Sequence, residues 1–439
     1  MKKKYRIILY TSIFLLCVVA SIILVVKKSN SVYEEESKPK VVKHKSMLSM
    51  NLEQTAGSGD YKTVTQSSWP TEGYKFNAEL SRCENGGEIN WDDINKKVIV
   101  TGNVSDKCYV YFDIWIPSIA AYCTSGTDLA TCVKNFGDQG PSVSNIYIHN
   151  SSLTNGAGDN SYRYAGANLN NFVCFGSDTS PCPTDNLYRI IGVFGENYHG
   201  VTGKQLVKLI KYDYMTTDEL GTDGDYSQTY KEWGMDSTYK GTYGDGERIG
   251  VYYWNYKATG SATNTWSTSL LNKTNLNTNF INNIGTTWAN KIATVTWKVG
   301  GNTYANISDV VPATTYQNEI VNPVTTNTTD NATTYSAKIG LMYVSDYGFA
   351  ASPDAWTLTM SSYNNTTAKN NNWMYMGLYE WTISRYADPS NVAFRVYGVG
   401  GVNGYGVGSG IGVRASFSLE SSVSYVSGSG SMSDPIVIN

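Results

Sequence analysis

Short runs in which apolar and polar residues alternate recur along much of the chain and predict a β-rich fold. The clearest runs, each read as a strand or as a hairpin of two strands, are Tyr74–Leu80, Glu88–Val100 and Cys108–Ile114. Two further runs, Leu187–Phe194 and Leu206–Lys211, are more continuously apolar and predict strands of a larger domain. Strands therefore dominate the expected secondary structure.

Helical patterns are rarer than strand patterns. Asp128–Phe136 predicts a short helix, and Ser267–Ile284 predicts a longer one with Leu270, Leu271, Phe280 and Ile281 as its apolar positions. Residues 302–335 are rich in Asn and Thr and contain two prolines, which predicts a long surface loop. The expected fold class is α+β and β-rich.

One long apolar run stands near the N-terminus. Residues 7–26 are 20 consecutive residues without a formal charge, flanked on both sides by basic residues. At 1.5 Å per residue they match the roughly 30 Å hydrocarbon core of a bilayer. A cleaved signal peptide fits less well, because the run exceeds a usual signal core and no small-x-small site follows it. We predict an uncleaved transmembrane signal-anchor, and therefore a single-pass protein of the cell membrane.

Six cysteines follow the anchor and fall into three couples that are close in sequence. They are Cys83, Cys108, Cys123, Cys132, Cys174 and Cys182. An even number at short spacing suggests disulfides, and therefore an oxidising compartment outside the cytoplasm. Sequence alone leaves their connectivity open; we favour local pairing, 83–108, 123–132 and 174–182. The part of the chain beyond the anchor is expected to be extracellular.

The composition along the chain suggests five segments. They are a cytoplasmic tail and anchor (1–28), a polar stalk (29–60), a small disulfide-clamped β module (61–118), a linker (119–155) and a main domain (156–439) that includes loop 302–335. With about 60 residues, the β module has a small core, so a covalent staple is physically sensible.

Overall composition excludes several classes of protein. Of the 439 residues, 16% are charged and 13% are aromatic, which is the reverse of a disordered chain. The net charge of −3 argues against a nucleic-acid partner, since phosphate binding requires a basic surplus. Only three histidines are present, which limits acid–base and metal chemistry.

Candidate catalytic groups are sparse. His149 and His199 are the histidines available to a Ser-His-Asp mechanism. No Gly-x-Ser-x-Gly nucleophile elbow precedes a helix, so that mechanism is not supported. Paired carboxylates could support an extracytoplasmic hydrolase, with candidates Glu196, Glu247, Asp346 and Glu380. Isolated carboxylates on loops are the default in a chain with 37 acidic residues.

One acidic segment raises the question of a metal. Asp218, Asp223 and Asp225 lie close together in a Gly-containing stretch, and calcium prefers such oxygen clusters. The spacing is not that of an EF-hand, and a solvated acidic loop is the alternative. Calcium is therefore the one candidate cofactor, and otherwise none is expected.

The glycine-rich C-terminal segment offers a candidate ligand surface. Val and Tyr alternate there with Gly, as in short strands joined by tight turns. Tyr supplies rigid amphipathic contact area, and Asn adds adaptable hydrogen bonds. The candidate ligand-binding residues are Arg385, Tyr386, Asp388, Arg395, Tyr397, Asn403 and Tyr405. Ordinary β-turn composition in a Tyr-rich protein is the alternative.

Three motifs of the region 156–439, taken in order, resemble a family of secreted bacterial domains of unknown function. They are Trp266-Ser-Thr-Ser-Leu followed by Leu276-Asn277 and Phe280, then Lys338-Ile-Gly-Leu-Met-Tyr-Val-Ser-Asp-Tyr-Gly, then Glu380-Trp-Thr-Ile-Ser leading to Gly412-Val-Arg-Ala. The resemblance implies a C-type-lectin-like fold, distantly similar to the formylglycine-generating sulfatase-modifying fold.

This chain differs from those families in one motif residue and in the residue types that their catalytic sites use. Ala415 stands where the motif has proline, no cysteine follows Cys182, and the three histidines are widely scattered. The resemblance therefore implies the fold without the known catalysis, and it implies that the region before the Gly-Val-Arg strand is the exposed ligand face. We expect a membrane-anchored, adhesin-like binding protein for a glycan or a surface protein. A hydrolase and a purely structural envelope protein are the alternatives.

Overall fold

A computed structural model describes residues 47–55, 58–65, 69–70, 73–92, 95–102, 106–115, 117–195, 199, 203–229, 241, 249–303, 307, 309–323, 332–387 and 390–439. The predicted anchor, 7–26, lies outside these residues. Within the described ranges no helix has the length and apolarity needed to cross a membrane. The chain divides into two compact units, Met1–Pro117 and Ser118–Asn439.

The described residues of the first unit form six strands. They are β1 (Met47–Glu53), β2 (Tyr61–Val64), β3 (Tyr74–Cys83), β4 (Glu88–Asp92), β5 (Lys97–Thr101) and β6 (Lys107–Ile114). Four of them form a sheet in the order β2-β1-β6-β3, and β4 and β5 form the predicted hairpin. Alternate residues of β1 and β6, such as Leu52 and Phe112, are buried together in a small aromatic core.

The strand β1 changes the predicted domain boundaries. It lies within the segment expected to be stalk, yet it pairs in parallel with β6 and antiparallel with β2. Polar residues in this segment do not fit a strand pattern, but they are buried and hydrogen-bonded in the structure. Glu53 accepts the backbone N–H of Ile114 at 2.9 Å, and Asn51 donates to Val110 O at 3.4 Å. The folded first unit therefore begins at least as early as Met47.

The second unit holds seventeen further strands among its described residues. They are β7 (Ile146–Ile148), β8 (Tyr162–Tyr164), β9 (Phe172–Cys174), β10 (Leu187–Phe194), β11 (Leu206–Lys211), β12 (Tyr226–Thr229), β13 (Gly250–Tyr252), β14 (Val295–Lys298), β15 (Gly301–Asn302), β16 (Thr334–Ala337), β17 (Ile339–Gly340), β18 (Glu380–Tyr386), β19 (Val392–Val396), β20 (Val402–Gly406), β21 (Ser416–Ser418), β22 (Tyr425–Ser427) and β23 (Val437–Ile438).

The main sheet of this unit has the order β17-β21-β11-β10-β8-β7, with β9 also paired to β10. All residues of β10 and β11 are buried, as their continuous apolar pattern suggests. Gly192 in β10 is required by packing, because a Cβ there would lie 2.1 Å from Tyr162 O of the neighbouring strand β8. A second sheet, β15-β18-β19-β20, carries the C-terminal hairpin.

Short helices complete the second unit. In the part of this unit that the structure describes, the α-helices are α1 (Leu129–Gly137), α2 (Pro141–Ser144), α3 (Thr217–Leu220), α4 (Ile281–Ala289), α5 (Pro312–Tyr316), α6 (Val344–Phe349) and α7 (Thr366–Asn370). Two π-helical segments, Leu271–Phe280 and Gln317–Val321, lead into α4 and extend α5. Short 3-10 turns lie at Ile119–Ala121, Thr184–Asn186, Trp266–Thr268, Pro353–Thr357 and Met360–Asn364. Together with the sheets they make a β-rich α+β fold.

Two segments expected to be irregular belong to the packed structure. The predicted linker, 119–155, lies in the second unit, and helix α1 within it buries Leu129 and Phe136 in the core. Asp128 starts this helix by accepting the Thr131 backbone N–H at 2.8 Å, as its N-cap position predicts. The predicted loop 302–335 contains α5, where Tyr316 is fully buried.

The three expected disulfides are present with the local pairing: Cys83–Cys108, Cys123–Cys132 and Cys174–Cys182. The first joins residues that face each other in β3 and β6. It clamps the small sheet of the first unit, the role that its limited core suggested.

Candidate functional site

The hairpin of β19 and β20 positions most of the candidate ligand-binding residues. Arg395 lies opposite Asn403, and Ala393 lies opposite Tyr405. Because side chains of alternate residues share one face of a strand, Arg395, Tyr397 and Tyr405 point to the same side. The intervening turn is tight: the Tyr397 N–H donates to Gly401 O, and Gly400 adopts a φ of 103° that favours glycine.

These side chains form a compact group that we call the arginine–tyrosine cluster: Arg395, Tyr379, Tyr397, Asn403 and Tyr405. The Arg395 guanidinium carbon lies 3.4 Å from the ring centroid of Tyr405 and 4.5 Å from that of Tyr379. The rings of Tyr379 and Tyr397 stack with their centroids 4.8 Å apart. Arg395 is 5% exposed, whereas the three tyrosines are half-buried. The cation therefore lies beneath a set of partly exposed rings.

A hydrogen bond to Asn403 helps to hold the Arg395 guanidinium in this position. Its Nε donates to Asn403 Oδ1 at 3.0 Å. Its buried Nη1 has no hydrogen-bond partner among the described residues. Burial lowers the pKa of Arg395, and the neighbouring tyrosines oppose that effect. A planar cation stacked on aromatic faces is held by both dispersion and the ring quadrupole.

Two other predicted residues do not join this cluster. Arg385 is fully buried, and its Nε donates to Val299 O at 2.7 Å, so it braces the backbone beside β18. Tyr386 stacks on Phe394, with centroids 5.2 Å apart, and Phe394 points away from the face of Arg395. Asp388 lies outside the described residues. Tyr379 was missed because its place beside Tyr397 depends on the pairing of β18 with β19.

The acidic side chains of segment 218–225 do not point towards a common site, and two of them accept hydrogen bonds that stabilise the fold. The Asp225 carboxylate accepts the backbone N–H groups of Leu270 and Leu271 at 2.7 and 2.9 Å, at the start of the π-helical segment. Asp223 Oδ1 accepts from the side-chain amide of Asn279 at 2.6 Å, and the Asp218 side chain is exposed.

The described residues contain a single grouping of three potential metal ligands, Cys83, Asp106 and Cys108. Its two sulfur atoms are joined in a disulfide, so no thiolate is available there. The Asp106 carboxylate accepts the backbone N–H groups of Asn85 and Gly87. This grouping therefore has a structural explanation within the first unit.

A second polar group lies inside the second unit, and we call it the buried ionic cluster: Asp159, Arg163, His199, Lys208, Tyr316, Glu319 and Asp346. Arg163 Nη2 contacts Asp159 Oδ2 at 2.9 Å, and Lys208 Nζ contacts Asp346 Oδ2 at 2.5 Å. His199 Nε2 and Tyr316 OH also reach Asp159 Oδ2, at 3.1 and 2.8 Å. These residues come from five separate parts of the chain, and sequence patterns gave no signal for their meeting.

Electrostatics differ among the members of this cluster. Burial disfavours the charged form of Asp159, but Arg163 and His199 outweigh it and hold the pKa of Asp159 below its usual range. Burial lowers the pKa of His199, although its hydrogen bond to Asp159 opposes that change. Burial raises the pKa of Glu319 to about 7. His199 thus contributes a hydrogen bond to Asp159 within the core.

The remaining candidate catalytic residues have structural partners. Glu380 forms two hydrogen bonds with the guanidinium of buried Arg414, at 2.7 and 2.9 Å. His149 Nδ1 accepts the Ala157 backbone N–H at 3.0 Å, and its ring packs edge-on against Phe349. Glu196 and Glu247 lie outside the described residues.

Of the two clusters, the arginine–tyrosine cluster has partly exposed side chains, whereas the buried ionic cluster is enclosed by the core. Tyrosine rings and hydroxyls can contact a ligand with little loss of side-chain entropy. No family model matches this chain, and neither do any of the curated proteins or solved structures compared with it.

Proposed function

We propose that this chain is a membrane-anchored cell-surface binding protein whose ligand contacts the arginine–tyrosine cluster, and that its second unit is C-type-lectin-like. The apolar run 7–26 and the three disulfides support an extracytoplasmic location. The observation that carries the binding role is the position of Arg395 beneath Tyr379, Tyr397 and Tyr405.

The physical argument concerns preorganisation. An unsupported tyrosine on a surface must lose rotamer freedom when it binds, whereas rings stacked on a fixed guanidinium have already lost it. Half-buried tyrosines present an apolar face and a hydroxyl together, which suits the mixed C–H and O–H surface of a sugar. A glycan is therefore the favoured ligand, and a surface protein is the second candidate.

The test uses the full chain in detergent, on a glycan array and in pull-downs from cell envelopes. Replacing Tyr397 or Tyr405 by Ala should lower the affinity for any ligand found by about tenfold or more, the typical cost of removing an aromatic anchor. Tyr335→Ala is the matched control, because Tyr335 is also half-buried but lies in a different hairpin, β14–β16. Equal binding by all three variants would contradict the proposed surface.

A further inference from the structure

Lys208 and Asp346 meet in the core of the second unit although they are 138 residues apart in sequence. Lys208 lies in β11 of the main sheet, and Asp346 lies in helix α6. Lysine Nζ and aspartate Oδ2 are 2.5 Å apart, closer than the roughly 2.7–2.9 Å of a usual charged N–H···O pair. The amine is thus in direct contact with the carboxyl group.

Aromatic rings surround this pair and exclude water. Lys208 Nζ lies 4.5 Å from the ring centroid of Tyr343, 5.2 Å from Trp297 and 5.7 Å from Phe194. The two side chains are 4% and 1% exposed. Burial lowers the pKa of Lys208, which favours the neutral, nucleophilic amine, although Asp346 opposes that effect.

The ion pair leaves polar atoms unsatisfied. A lysine ammonium has three N–H donors, and among the described residues Asp346 is its one hydrogen-bond partner. Asp346 Oδ1 is buried without a hydrogen-bond partner in that same set, 3.8 Å from Arg163 Nη1, which also has none. A buried ion pair offsets its desolvation only when the remaining donors and acceptors are satisfied. An amide in its place would remove two of the N–H donors and one oxygen.

We propose that Lys208 and Asp346 condense into an intramolecular isopeptide bond. The proton shared in the short contact passes to the carboxylate, and the lone pair of the neutral amine attacks Cγ of Asp346. Oδ2 then leaves as water, carrying two of the three ammonium protons. One C–N bond forms, one C–O bond breaks, and no oxidant or other reactant is needed.

Neighbouring groups suit this reaction. Arg163 faces Oδ1, the oxygen on which negative charge develops when the amine attacks, so its guanidinium stabilises the tetrahedral intermediate. The Tyr343 backbone N–H donates to Oδ2 at 3.0 Å and fixes the orientation of the carboxyl group. Both groups are in place before the reaction begins, so little reorganisation is required.

The bond would connect the main sheet to the candidate ligand surface. Helix α6 also carries Tyr347, whose hydroxyl donates to Gly400 O at 2.7 Å in the turn between β19 and β20. A covalent link at Asp346 therefore anchors the helix that supports the arginine–tyrosine cluster.

Mass spectrometry of the full chain tests the proposal. The folded wild-type chain should be lighter by one water molecule than its sequence with three disulfides. Trypsin should release a branched peptide that joins Gln205–Lys211 to Ile339–Lys369, because a linked Lys208 is not cleaved. Lys208→Arg should remove both signals. Lys204→Arg, a change of a half-exposed lysine four residues away, should keep them.

Two results would overturn the isopeptide bond. One is a wild-type chain that is folded by near-ultraviolet circular dichroism and has the full mass of an unlinked, disulfide-bonded chain. The other is a loss of water without the branched peptide, which would indicate dehydration elsewhere. Because the decisive measurement is made on the wild type, a folding defect in Lys208→Arg leaves the test intact.

Discussion

Glu319 should make the stability of the second unit depend on pH near neutrality. Its side chain is enclosed in the core, where Ser345 N–H donates to Oε1 at 2.7 Å and the Ser384 hydroxyl donates to Oε2. Burial raises the pKa of Glu319 from the ordinary 4.5 to about 7, and these hydrogen bonds only partly oppose it. The folded chain therefore retains a proton that the unfolded chain releases at lower pH.

The direction of the effect follows from proton linkage. Below pH 4.5 both states hold the proton, and the full contribution to stability is present. As the pH rises towards 7, the unfolded state ionises first and becomes relatively more stable, so the free energy of unfolding falls. The pKa of Glu319 is about 4.5 in the unfolded chain and about 7 in the folded chain. At about 1.4 kcal/mol per pH unit, this difference lowers the free energy of unfolding by about 3 kcal/mol.

Chemical denaturation followed by tryptophan fluorescence, repeated from pH 4.5 to 8, measures this loss. Because other groups also titrate, the informative quantity is the difference in unfolding free energy between the wild type and Glu319→Gln at each pH. Glutamine can still accept from Ser345 and meet the Ser384 hydroxyl, but it cannot ionise. Glu420→Gln, a surface change beside Lys204, should retain the wild-type profile. A constant difference between wild type and Glu319→Gln across this range would refute the reasoning.

Two further substitutions test the structural assignments. Glu380→Gln should lower the free energy of unfolding by about 3–5 kcal/mol, because it leaves the buried Arg414 guanidinium without its carboxylate. A decrease below about 1 kcal/mol, measured by urea denaturation, would contradict a stabilising role for this ion pair. Asp225→Ala should lower the free energy of unfolding by about 1–2 kcal/mol, because the backbone N–H groups of Leu270 and Leu271 lose their acceptor. Replacing the exposed Asp218 by Ala should lower it by less than about 0.5 kcal/mol. Equal effects of the two substitutions would contradict the capping role of Asp225.

Elements formed by residues that are close together in the sequence could be predicted from local patterns. The hairpin of β4 and β5, helix α1 with its Asp128 cap and the three disulfides all join residues that are near one another along the chain. In the candidate ligand surface, Arg395, Asn403 and Tyr405 belong to one short hairpin, so a glycine-rich alternating pattern was enough to group them.

Features that depend on distant pairing were not predictable. The sequence predicts stalk where β1 lies, because the partner strand β6 is about 60 residues further on and contacts with that region bury two polar residues of β1. Arg385 looked like a ligand-binding residue, but its guanidinium binds Val299 O, 86 residues earlier in the chain. Lys208 and Asp346 each resemble an ordinary exposed charge until the fold brings them together.

The parallel pairing of β1 with β6 has a mechanical consequence. Met47 at the start of β1 and Ile114 at the end of β6 lie at opposite ends of two strands that run in the same direction. A pull applied to the chain before Met47 and after Ile114 would therefore slide the two strands past each other along their length. All the backbone hydrogen bonds from Met47 to Leu52 would then share the load at once, whereas an antiparallel pair pulled from one end opens one bond at a time.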